Sequence, residues 1–145
     1  MKNLSLYLLL TSILFAATTP QAHITAVTTN GTEKSYHFTV TVASDETGCE
    51  QYANWWEVLS KDGTLLYRRI LIHSHPNQQP FTRSGGYVPI KKDEVVYVRA
   101  HMNKLGYVGD IFEGSVKLGF KKAKEVPDFN TSIETQIPLP TGCLY

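Results

Sequence analysis

Charge of one sign is missing from this sequence: 14 Lys and Arg stand against 13 Asp and Glu, a formal net charge of +1. Such balance excludes a basic nucleic-acid binder and an acidic disordered tail, since it supplies neither attraction to phosphate nor self-repulsion. Glycine (10) and proline (7) are too few and too scattered for a collagen-like or low-complexity chain. There is no Cys/His cluster, no HExxH pattern and no EF-hand loop. Ser84 has no GxSxG elbow around it, and no glycine-rich loop opens a helix to cradle phosphate. No carboxylate spacing nominates a glycoside-hydrolase pair. An enzyme is therefore the minority reading, with a hydrolase ranked third. What remains is 145 residues, enough for one domain with a proper core.

Long apolar runs are confined to the N-terminus. Lys2 supplies a positive start, residues 4–17 are apolar apart from small or hydroxyl residues and Tyr7, and small residues lead to Ala22. This is the pattern of a secretory signal peptide over residues 1–22, cleaved to leave a mature domain over residues 23–145. The run is shorter than the roughly 20 residues that span a bilayer, so no membrane span is expected after cleavage. Losing Lys2 from the 14 basic residues leaves a mature chain balanced against its 13 acids. An exported protein, periplasmic or extracellular, gives a meaning to Cys49 and Cys143, because an oxidising compartment favours pairing them. Two buried thiols are the alternative.

Period-2 alternation dominates the mature chain. In Tyr36-His37-Phe38-Thr39-Val40-Thr41-Val42 the even positions are apolar and the odd ones polar, as in a half-buried strand. Further strands are expected over residues 24–29, 55–59, 64–72, 94–102 and 111–120, with hairpin turns at Asn30-Gly31 and at Ser60-Lys61-Asp62-Gly63. Residues 74–88 contain Pro76, Pro80 and Gly85-Gly86 and read as a long exposed connection; residues 121–145 read as an extended tail over the surface. The expected fold is all-β: an antiparallel immunoglobulin-like or fibronectin-like β-sandwich of about seven strands, with a small closed barrel as the alternative.

Within residues 52–109 the text YANWWEVLSKDGTLLYRRILIHSHPNQQPFTRSGG, followed by VYVRAHM, resembles a group of small exported bacterial proteins of uncharacterised function. In that group a YA-W-EV segment and a DG turn precede a strand ending in two spaced histidines, and a QPFTRS loop follows. Tyr52, Trp56, His73, His75, Phe81, Thr82 and Arg83 occupy the matching positions. The resemblance implies an exported β-rich domain of bacterial origin and no particular activity.

Five histidines are the most informative polar residues. His73 and His75, two apart, share one face of an extended strand, and His101 ends another strand. Three converging imidazoles are the minimal protein contribution to a copper or zinc site. Cleavage after Ala22 would make His23 the N-terminus, able to chelate copper through its amine and ring as in a histidine brace. The competing reading is that each histidine holds a backbone carbonyl or a carboxylate. The arginines offer a second constellation: Arg69, Arg83 and Arg99 beside imidazoles suit a carboxylate, sulfate or phosphate, although cross-strand pairing of Arg68 and Arg69 with Glu57, Glu94 or Glu113 is favoured. Trp55 and Trp56 face opposite sides of a strand, one in the core and one outward, where Trp55 could stack on a sugar. The leading expectation is thus a binding protein with a copper or zinc site on His73, His75 and His101. The alternative is a metal-free module for an anionic or carbohydrate ligand or another exported protein, built on Arg83, Trp55, Arg99 and the 74–88 loop.

Overall fold

The computed structural model describes residues 18–144. Most of the expected leader, residues 1–17, lies outside the described residues. The strands are β1 (Ala22–Thr32), β2 (Ser35–Ser44), β3 (Ala53–Ser60), β4 (Leu65–Ile70), β5 (Phe81–Val88), β6 (Val96–Met102), β7 (Phe112–Ser115) and β8 (Gly119–Lys122). One sheet has the order β1-β2-β5 and the other β4-β3-β6-β7-β8, every pairing antiparallel. Two stacked antiparallel sheets make a β-sandwich, of eight strands rather than about seven.

Alternation builds the core. Phe38, Val40 and Val42 of β2 are fully buried, while His37, Thr39 and Thr41 between them are only half-buried. They face Trp56, Val58, Val96, Val98 and Ala100 of the larger sheet in one apolar cluster. Full burial of each such side chain contributes roughly 1.5–3 kcal/mol, the term that fixes which face of each strand turns inward.

The central strands β3 and β6 do not alternate in burial, because the tail covers their second face. Leu59 and Tyr97 on that face pack with Ile111, Ala123, Phe129 and Ile133 in a second apolar cluster. A short 3₁₀ turn (Thr131–Thr135), capped by Asn130 accepting from the Ser132 N–H, sets Ile133 into the sheet. The tail ends in the Cys49–Cys143 disulfide, so the expected pairing is present.

Several boundaries differ from expectation for local reasons. β1 runs through Asn30-Gly31, and the two-residue turn falls at Glu33-Lys34, where Lys34 has φ 65° and Thr32 pairs with Ser35. Residues 74–88 are not one exposed connection: their second half is β5, paired with β2. Gly85 lies inside that strand because the Tyr67 ring occupies the space where a Cβ would stand. The strand expected over residues 111–120 is a β7–β8 hairpin instead, turning before Gly119 at φ 77°. Ala22 opens β1; it is buried and its N–H donates to the Val108 carbonyl at 2.7 Å.

Candidate functional site

β4 and β5 are edge strands of different sheets, and residues 71–80 cross between them. The sandwich therefore has a seam here, closed by whatever side chains the edges present. Arg69 is in register with Trp56, and Arg83 with Val40, so both stem from the core-facing side of their strands. At the edge they cannot reach the core, and they turn into the seam. With Ile70, Ile72, His73 and His75 they line a cavity of about 160 Å³.

His75 is the fixed point of this cavity. Its ring lies on Phe81, centroids 4.1 Å apart at 17°, and only 6% of the residue is exposed. The buried Glu46 carboxylate accepts the His75 backbone N–H and also bonds Ser44 Oγ and Ala53 N. Gln79 completes the clamp, accepting from Ser44 N at 2.8 Å and donating to the His75 carbonyl at 3.1 Å. Arg83 Nη2 stands 2.6 Å from His75 Nε2. A guanidinium is always protonated, so it donates and the imidazole nitrogen accepts. Nδ1 then carries the ring proton, buried without a hydrogen-bond partner and 4.0 Å from Glu46 Oε2. Burial first, then the Arg83 charge and His73, hold the His75 pKa below its ordinary value against the opposing pull of Glu46. His75 is a neutral acceptor whose available lone pair is committed to Arg83.

The three histidines do not meet. β4 stops at Ile70, so His73 and His75 lie on an irregular segment where the same-face rule does not apply; His73 is exposed and His75 buried. β3 separates β4 from β6, which carries His101. His101 stacks on Trp55 with centroids 3.6 Å apart and donates from Nδ1 to Asn54 Oδ1 at 2.7 Å. Its pKa is lowered to about 3 by burial and by the charges of Arg68 and Arg99, so it too is neutral. His23 accepts the Asp110 N–H on Nδ1 at 3.0 Å and sits within β1. Among the described residues no group of three or more His, Cys, Asp or Glu stands in an arrangement that would hold a metal ion.

Trp55 and Arg99 are likewise apart from Arg83. They lie under the tail, in a cluster that the sequence reading only half anticipated. Glu57 is in register with Arg68 on one neighbouring strand and with Arg99 on the other. Its two oxygens accept from Arg68 Nε and Arg99 Nε, each at 2.8 Å, with the carboxylate fully buried. The expected cross-strand pairing of Arg68 is thus present, buried rather than at the surface. Arg68 also donates to the carbonyls of Ile133, Gln136 and Pro138 and lies 4.4 Å over Trp55, while Arg99 lies 3.3 Å over Tyr107. Burial and the Glu57 charge push the Tyr107 hydroxyl up to about 12. Trp55 is covered by this arrangement and presents no open face for a sugar.

Arg69 and Arg83 differ from these arginines: among the described residues neither forms an ion pair with a carboxylate. The Glu46 clamp left no motif in the sequence. Glu57 left a signal, a single charge inside the apolar run Trp55-Trp56-Glu57-Val58-Leu59. The disulfide is of the kind an oxidising compartment maintains, which points to an exported protein.

Among the described residues no helix is long and apolar enough to cross a membrane. No family model matches the chain, and no solved structure matches it. A protein of Halomicrobium mukohataei described as "Putative lipoprotein" is 34% identical over 90 residues, which cover 62% of this chain and 44% of that protein. The chain is thus similar to less than half of a longer protein.

Proposed function

We propose that this is a small exported binding protein, acting in a periplasm or outside the cell, that holds an anionic group in the seam cavity between β4 and β5. The observation that carries the reading is the Arg83–His75 contact: it directs a fixed guanidinium to the cavity and occupies the lone pair that a metal would need. Arg69 and Arg83 supply charge, His73 an exposed imidazole, and among the described residues no carboxylate lines the cavity. At about 160 Å³ the space suits a carboxylate, sulfate or phosphate head group, not a nucleotide. The lipoprotein description of the relative agrees with work outside the cytoplasmic membrane.

Copper or zinc at His73 and His75 requires Arg83 to leave and a third ligand from elsewhere, since β3 separates β4 from the strand that carries His101. Native mass spectrometry of the untagged protein separates the two readings. Wild type is expected to retain no stoichiometric zinc or copper, whereas Arg83→Ala frees His75 Nε2 and gains metal affinity. In parallel, sulfate or acetate at constant ionic strength is expected to raise the melting temperature of wild type and not of Arg83→Gln. A tightly held ion in wild type, lost in a His73→Ala/His75→Ala variant, would reverse the assignment.

A further inference from the structure

We infer that the anionic group is the carboxylate of a ligand bearing an aliphatic chain, and that the chain lies along Ile72 and Leu144 beside the disulfide. This rests on the anion reading of the same cavity and specifies what is attached to the anion.

Ile72 belongs to two cavities. On one side it lines the seam with Arg69 and Arg83; on the other it lines a cavity of about 210 Å³ with Thr141, Gly142, Cys143 and Leu144. A molecule lying across Ile72 passes from the cations to an apolar wall without leaving the protein surface. The wall is unspent: Ile72 is 44% exposed and Leu144 is 55% exposed, two branched side chains next to each other and next to charge. Isolated exposed apolar residues need no explanation, but a pair that adjoins a cationic cavity through Ile72 does.

The wall is also held in place. The Leu144 N–H donates to the Ile72 carbonyl at 2.6 Å, a parallel bridge pairs His73 with Leu144, and the neighbouring Cys143 is bonded to Cys49. The apolar part and the cationic part therefore keep a fixed separation, as preorganised recognition of a two-part ligand requires.

Charge selects among such ligands. Among the described residues no Asp or Glu lines either cavity, and the Glu46 side chain is fully buried behind His75, so these side chains offer an ammonium group no carboxylate. An acid is accepted and a free amino acid is not. The same chemistry is offered by a free short-chain acid and by the C-terminal residue of a peptide with a Leu-like side chain.

The test is calorimetric titration of the full oxidised protein, treated with chelator, using acetate, hexanoate, 1-hexanol and N-acetyl-glycyl-leucine. Hexanoate is expected to bind roughly tenfold tighter than acetate, about half the gain of burying its extra methylenes fully. Leu144→Ser, or Leu144→Ala as a second variant, should bring hexanoate back toward the acetate value and leave acetate unchanged. Arg83→Gln should weaken both acids. N-acetyl-glycyl-leucine binding tighter than hexanoate assigns a peptide terminus as the source, and the reverse order assigns a free acid. If acetate binds through Arg83 but hexanoate gains less than twofold, the aliphatic inference is overturned and the anion reading stands; if 1-hexanol binds as tightly as hexanoate, the carboxylate contributes nothing and the anion reading fails. If neither acid binds, the anion reading itself fails.

Discussion

His101 shows how a single residue records its surroundings. Packed on Trp55 and facing two buried guanidinium groups, it is held neutral, with its pKa lowered to about 3 from 6.5. The unfolded chain binds a proton there near pH 6.5 and the folded chain does not. The stability that its neutral form supports is fully present above pH 6.5 and is lost as pH falls from 6.5 toward 3, by about 1.4 kcal/mol per pH unit. Urea unfolding of wild type is expected to lose about 2 kcal/mol from this group between pH 6.5 and pH 5. His101→Phe should flatten much of that slope, whatever its own stability. His75 is shifted in the same direction and adds to the slope. The carboxyls of Glu50, Asp62 and Asp110 are all held low, so they lose their stabilising effect only at still lower pH. An unchanged slope in the variant would show that His101 is not held neutral by the fold.

At the scale of elements, the strands of the core were legible because burial on one face writes an alternation into the chain. β2 was legible over residues 36–42 of its Ser35–Ser44 span for that reason, and β3 was recognisable from Trp55 and Trp56 despite being buried on both faces. β5 was not legible: Pro80 and Gly85-Gly86 read as breakers, yet Gly85 is required by the Tyr67 ring on a strand of the other sheet. Such a requirement is tertiary and leaves no local trace. Gly85→Ala is expected to destabilise by about 1–3 kcal/mol through overpacking. In Tyr67→Ala the same change should cost far less, a non-additivity that a double-mutant cycle reads directly. Additive effects would mean that Tyr67 does not dictate the glycine. The candidate site was legible only in part, for a similar reason. His73, His75 and Arg83 were read as candidates, but which imidazole faces a guanidinium depends on the segment crossing between sheets, and no sequence period describes that segment.

For the whole molecule, the tail converts an ordinary sandwich into a three-layered object. It covers the Arg68–Glu57–Arg99 network, supplies the carbonyls that satisfy Arg68, and returns to Cys49 beside the seam. The bond closes a loop with 94 positions between its ends, so it removes much freedom from the unfolded chain. Cys49→Ser/Cys143→Ser is expected to lower the unfolding free energy by about 4–5 kcal/mol on the loop-entropy estimate. Equilibrium urea unfolding checks this; a loss below 1 kcal/mol would mean that packing of Phe129 and Ile133 alone restrains the tail.

The central claim concerns the seam: that a neutral His75 and two arginines with no carboxylate partner among the described residues form an anion site rather than a metal site. The most direct measurement is NMR of the ¹⁵N-labelled, chelator-treated protein, following the His75 ring nitrogens and the Arg83 guanidinium during titration with acetate. His75 is expected to start as the Nδ1–H tautomer with Nε2 accepting, and acetate to shift Arg83, Arg69 and His73 together in one saturable transition that Arg83→Gln abolishes. No saturable shift at Arg83 under acetate, together with a zinc-dependent shift of His75 Nε2 in wild type, would contradict it.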